Sequence, residues 1–276
     1  MANAMATQAE GILDIAPEQH PRPAPRVLVF CGGKGGVGKT QLAANLAVAL
    51  AARHHVLLLT ADLCFAAPGC FHANTTLELI ASGERTIDET MHKGPAGIDM
   101  LPAIETPLLL AHLPPWQQER LARQISAAAA QRDFALIDCP AETLPAIAAA
   151  EAVVVSTPEA ASLAGAYAQV KRLAQTAPCT TISLLLNGVE DASEAASTFR
   201  KLTQTARRFL GITPACLGWV PSDHSVAKAA RRRVPFVVEY ADRPAAAALK
   251  AIAARLSSAQ SQRANPDYIV LGTCRQ

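Results

Sequence analysis

From Arg26 onward, short apolar runs rich in Val, Ile and Leu alternate with longer stretches of helical periodicity. The runs are Val27–Cys31, Val56–Thr60, Ile98–Leu101, Phe134–Asp138, Ala152–Ser156, Ile182–Asn187 and Ala215–Val220. Between them, Gln41–Ala52, Gln117–Ala130, Ala160–Ala174, Ala192–Leu210 and Pro244–Leu256 read as helices. Continuous apolar strands separated by helices imply a sheet buried on both faces, so the strands should run mostly parallel. Right-handed crossovers then predict an α/β, doubly wound domain with helices on both faces. No internal repeat is visible, and the Ala-rich stretches are helix formers with small side chains.

The ends of the chain break this pattern. Pro17, Pro21, Pro23 and Pro25 read as an extended linker. Upstream, Met5, Ala9, Ile12 and Leu13 fall on one face at helical spacing. That segment is either a frayed terminus or a partner-binding peptide that folds on contact. The expected organisation is a flexible N-terminal partner-binding segment and linker over residues 1–25, one domain over 26–258 and a tail over 259–276.

Composition narrows the function classes. The chain has 276 residues, of which 50% are hydrophobic and 17% charged. Lys and Arg number 25 against 23 Asp and Glu, a net charge of +2. That balance argues against a dedicated nucleic-acid binder, so DNA is not expected as a partner. Aromatics at 4% argue against a single-strand stacking platform. The longest uncharged stretch, Leu173–Val189, is interrupted by polar residues, so no transmembrane helix is expected. Nor does the N-terminus show a charged stretch followed by an apolar one, so export is not expected. The seven cysteines are odd in number and form no C-x-x-C pair. This fits reduced thiols in a cytoplasm better than a disulfide framework or a zinc or iron–sulfur site.

The chemistry concentrates after the first strand. Gly33-x4-Gly38-Lys39-Thr40 fits the P-loop pattern between a predicted strand and helix. Glycines let backbone N–H groups approach phosphates, and the following helix points its positive end at the anion. Lys39 would neutralise β- and γ-phosphate oxygens, and the Thr40 hydroxyl would ligate Mg²⁺. Gly33-x-Gly35-x-x-Gly38 with Asp62 further on also fits a dinucleotide fingerprint. Lys39-Thr40 separates the two readings, because a pyrophosphate cradle requires neither group.

Lys34-Gly35-Gly36-Val37-Gly38-Lys39-Thr40 carries a second lysine and resembles the deviant Walker A motif of the MinD/ParA ATPases. The resemblance implies a P-loop ATPase with ATP and Mg²⁺ as cofactors. It also implies an ATP-dependent homodimer in which Lys34 reaches the partner copy's phosphates. Loop contacts to the nucleotide would come from Gly33, Lys34, Gly35, Gly36, Val37, Gly38, Lys39, Thr40 and Gln41. Val56–Leu63 is similar to the second-strand segment D-A-D-L, which makes Asp62 the residue that aligns the attacking water. The first Asp of that segment is replaced by Thr60, a departure that bears on turnover. Phe134–Ala141 resembles the Walker B strand and implies Asp138 as an Mg²⁺ ligand. Asn187 implies recognition of the adenine edge, and Pro221 a wall of the nucleotide pocket.

Ser156-Thr157-Pro158-Glu159 and Ala166-Tyr167-Ala168 resemble the T-T-P-E-P-x-x-x-x-D-A-Y-A stretch of the flagellar number regulators FlhG (FleN or YlxH). Thr7–Leu13 is similar to their D-Q-A-E-G-L-R element. This resemblance implies a slowly hydrolysing dimerisation switch governing flagellar number and placement. The implied partners are an FlhF-type SRP-like GTPase, flagellar switch-ring proteins or a flagellar transcription activator. Peripheral docking at the inner membrane or cell pole is implied too, although Ser257–Gln276 shows neither a basic face nor helical apolar spacing. Arg231–Arg233 reads as a partner or lipid-headgroup patch, or as a solvated face. Two other readings remain beside this one: a hydrolysis-deficient nucleotide-binding scaffold, and a ParA-like partition ATPase.

Overall fold

The computed structural model describes residues 24–60, 77–102, 113–138, 147–148, 151–178, 180–260 and 270–271. Each predicted apolar run forms a strand, with bounds within two residues of the expectation. In chain order the first elements are β1 (Arg26–Cys31), α1 (Lys39–Leu50) and β2 (Val56–Thr60). Two short helices follow, α2 (Leu77–Ser82) and α3 (Ile87–Thr90), then β3 (His92–Lys93) and β4 (Asp99–Pro102). Next come α4 (Pro115–Ala130), β5 (Phe134–Asp138), β6 (Ile147–Ala148) and β7 (Glu151–Ser156). The last part runs α5 (Ala160–Thr176), β8 (Thr181–Val189), α6 (Ala192–Leu210), β9 (Ala215–Pro221), α7 (His224–Arg232), α8 (Phe236–Glu239), α9 (Pro244–Gln260) and β10 (Val270–Leu271).

Eight strands form one sheet in the order β3-β4-β2-β5-β1-β7-β8-β9, parallel except for the edge pair β3–β4. Alternation along each strand splits the core in two. Val27, Val29 and Cys31 of β1 join one cluster with α2, α4, α5 and α6. Leu28 and Phe30 join the other with α1, α8 and α9. That is the three-layer, doubly wound sheet the pattern predicted, and burial on both faces is why its strands read as unbroken apolar runs. The tail segment β10 pairs antiparallel with β6 in a separate two-stranded ladder.

Local chemistry sets the helix ends. Asp191 caps α6 by accepting from the Glu194 amide at 2.8 Å, and Gly211 ends it in the left-handed region. Asp223 caps α7 through the Ser225 amide at 2.8 Å. The periodicity overlooked α7 because only two of its residues, Ser225 and Ala229, are buried. At the sheet's amino end, Arg26 and Glu151 form a buried ion pair at 2.7 Å. Ser183 donates to the same carboxylate, and Arg26 also donates to the Leu256 carbonyl. No helix among the described residues is long and apolar enough to cross a membrane. The N-terminal element Thr7–Leu13, Asp62 and most of the 259–276 tail lie outside the described residues.

Candidate functional site

The sheet order places the ends of β2, β5 and β1 side by side, with Thr60 and Phe30 both in register with Asp138. The Gly-rich loop leaves β1 there and enters α1. Ligands bind beyond the carboxyl ends of the strands in such sheets. The helix begins at Gly38, which adopts φ 85°, and no side chain caps it. Its first amides therefore have no side-chain cap, the state in which a helix N-terminus can take an anion. A Cβ at Gly38 would meet Asn187 Nδ2 at 2.3 Å, so this position combines a left-handed backbone with a close approach.

Asp138 sits at the centre, 3% exposed. Lys39 Nζ forms an ion pair with Oδ1. Thr40 Oγ1 donates to Oδ2 at 2.6 Å, and Thr60 Oγ1 donates to the same oxygen at 3.2 Å. Thr60 thus offers a hydroxyl where the resembling pattern has an Asp. A carboxylate there would stand against a second carboxylate, whereas a hydroxyl satisfies it. Three sequence-predicted residues from two distant segments, Lys39, Thr40 and Asp138, are therefore brought together. Gln41 Oε1 is buried without a hydrogen-bond partner at the first turn of α1, as is Thr157 Oγ1 beyond β7.

Other predicted residues fall around this centre. Asn187 Nδ2 donates to the Val37 carbonyl at 2.9 Å, which ties the end of β8 to the loop. Pro221 is the last residue of β9, paired with Val189. Lys34 Nζ pairs with Glu159 Oε2 of its own chain at 2.7 Å, both side chains largely exposed. A pair of this exposure is worth about 0–1 kcal/mol, so Lys34 is readily released.

One constraint on the loop is not visible in the local sequence pattern. A Cβ on Gly33 would lie 1.9 Å from the Gly165 carbonyl carbon, and one on Gly165 would lie 2.7 Å from the Gly33 carbonyl carbon. The loop backbone thus rests directly on α5. Gly165 occupies the position of the Asp in the D-A-Y-A part of the resembling stretch. That departure was the available signal, although only the packing gives it meaning.

The model of the CobQ/CobB/MinD/ParA nucleotide-binding domain matches residues 28–236. The chain belongs to this family. Antiactivator FleN of Pseudomonas aeruginosa is 31% identical over 242 residues, covering 84% of this chain and 86% of FleN. An uncharacterized ATP-binding protein of Methanocaldococcus jannaschii is 34% identical over 243 residues, covering 84% and 88%. Among solved structures, the cell division ATPase MinD of Pyrococcus furiosus superposes with a TM-score of 0.66 at 21% identity, covering 85% of this chain and 99% of that one. MinD of Pyrococcus horikoshii, solved with Mg-ADP, gives 0.64 at 21% identity, covering 86% and 98%. These superpositions agree with the MinD/ParA fold built above.

Proposed function

We propose that this member of the MinD/ParA family is an ATP-binding, slowly hydrolysing dimerisation switch of the FleN type that regulates flagellar number. The observation that carries the reading is the convergence of Lys39, Thr40 and Asp138 below a loop whose helix amides lack a cap. The donor set is hard oxygen, a hydroxyl and a carboxylate, and the first turn of α1 also carries the buried, unpartnered Gln41 Oε1. Such groups suit Mg²⁺, and Pyrococcus horikoshii MinD was solved with Mg-ADP. When bound, Mg²⁺ would neutralise charge on the transferring phosphoryl group.

The chain's own groups then have distinct tasks. Loop amides and Lys39 cradle the phosphates. Thr40 and Asp138 would hold the cation, and Lys39, now paired with Asp138, would serve the phosphate oxygens. Asn187 and Pro221 border the base, and Asp62 orients the attacking water. Lys34 exchanges Glu159 for the partner copy's phosphates, so that closure requires triphosphate. Catalysis here is positioning and charge neutralisation. Slow turnover suits a device that shifts populations. The likeness to an antiactivator supports an activator protein as the partner class; a flagellar transcription activator, an FlhF-type GTPase and switch-ring proteins are the candidates that the sequence resemblance implies.

Sizing the protein with ATP, with ADP and as Lys34→Ala tests this. A dimer formed only with ATP and lost in the variant supports the switch. Identical elution in all three conditions rejects it.

A further inference from the structure

A second concave surface lies at the far end of α1 from the nucleotide cradle. It is a groove of about 550 Å³ between the carboxyl end of α1, the turn at Ala96, α8 and α9. Leu50, Val237 and Ala253 form a buried floor, and Val238 stands on its lip, 59% exposed. Among the described residues, Arg53 and Lys250 are the only charged ones lining it, both exposed, and no carboxylate does. An apolar trough edged with cations fits an amphipathic segment whose polar side is acidic.

Residues 5–14 of this chain have that character. Met5, Ala9, Ile12 and Leu13 fall at the spacing of one helical face, and the only charges in this stretch of sequence are Glu10 and Asp14. The chain also arrives at the right place. Arg26, two residues after the described chain begins at Ala24, donates to the Leu256 carbonyl at 3.2 Å. Ser257, the next residue, lines the groove. Ten residues, Ile15 to Ala24, span up to about 33 Å when extended, ample for a return to a groove beside their own exit. Attachment in the same chain supplies a high effective concentration, so a modest contact suffices.

We propose that the groove between α1, α8 and α9 is the docking site for residues 5–14 of the same chain, held by its apolar floor and by Arg53 and Lys250 against Glu10 and Asp14. Docking hides the face that a binding partner of this segment must take, so the groove competes with that partner. Docking does not depend on nucleotide, because the groove lies at the other end of α1 from the Gly-rich loop.

Hydrogen exchange of the full-length protein tests it. Amides in 5–14 should exchange at least about tenfold faster in Val238→Asp than in the parent chain. Groove amides at 48–53 and 237–241 should lose protection in Ile12→Asp. Reversing both cations (Arg53→Glu with Lys250→Glu) should release the segment, and adding Glu10→Lys with Asp14→Lys should restore it. Unprotected 5–14 amides in the parent chain, or protection unchanged in Val238→Asp, overturn the proposal. Protection that grows with protein concentration overturns it too, because a second copy then fills the groove.

Discussion

Gly165→Ala sets two effects of opposite sign against each other. Inside a helix such as α5, replacing Gly by Ala gains about 1 kcal/mol from backbone entropy and propensity. At this position the new Cβ lies 2.7 Å from the Gly33 carbonyl carbon and 2.8 Å from its oxygen. Those atoms belong to backbone, so no rotamer change relieves the overlap. Overpacking of this kind typically costs about 1–3 kcal/mol. The helix is packed into the core through Ala166, Val170 and Leu173, whereas Gly33 is exposed, so the loop is the part that yields. The cost therefore falls on the cradle's geometry and the gain on the fold. Affinity for Mg-ATP should drop by roughly 5- to 150-fold, the equivalent of about 1–3 kcal/mol. The melting temperature without nucleotide should stay constant or rise by a few degrees, since about 1 kcal/mol corresponds to roughly 2–4 °C in a chain of this size. Isothermal titration beside thermal denaturation separates the two. Unchanged affinity would show that the loop does not depend on its contact with α5. A parallel fall in melting temperature would show that the helix yields instead.

Charged groups held by specific partners give two further outcomes. Glu151→Gln leaves Arg26 charged and without its carboxylate at the amino end of the sheet, a loss of about 3–5 kcal/mol. Chemical denaturation should show this loss, while ATP affinity, set at the other end of β1, stays within twofold of the parent (about 0.4 kcal/mol). Acid unfolding should begin as pH falls below the ordinary carboxylate range. Burial alone would raise the carboxyls of Asp99 and Asp223, but contacts overcome it and hold both below their usual value. For Asp99 these are Lys93 and Arg132, and for Asp223 the Ser225 and Ala245 amides with Arg243. A carboxyl lowered in the folded state contributes stability above its unfolded pKa and loses it as pH drops through the folded value. Asp223→Asn should flatten the low-pH arm of a stability curve, and an unchanged arm would count against this assignment.

Local pattern alone determined the parallel strands of the sheet, its longer helices and the loop that opens α1, but not the edge strand β3 or the shorter helices α2, α3, α7 and α8. Apolar runs bounded by turns can satisfy their backbone only as strands buried on both faces, and a P-loop is contiguous in sequence, so Gly33 to Gln41 were legible as one unit. Asp138 was legible as a strand-ending carboxylate, but its juxtaposition with Lys39, Thr40 and Thr60 follows from the strand order, which places β5 between β1 and β2. The Gly33–Gly165 contact, the Arg26–Glu151 pair and the groove beside α9 join residues 125 or more positions apart. No periodicity encodes such meetings. They are fixed when the crossovers bring distant segments together, because shape and charge complementarity exist only between surfaces already packed.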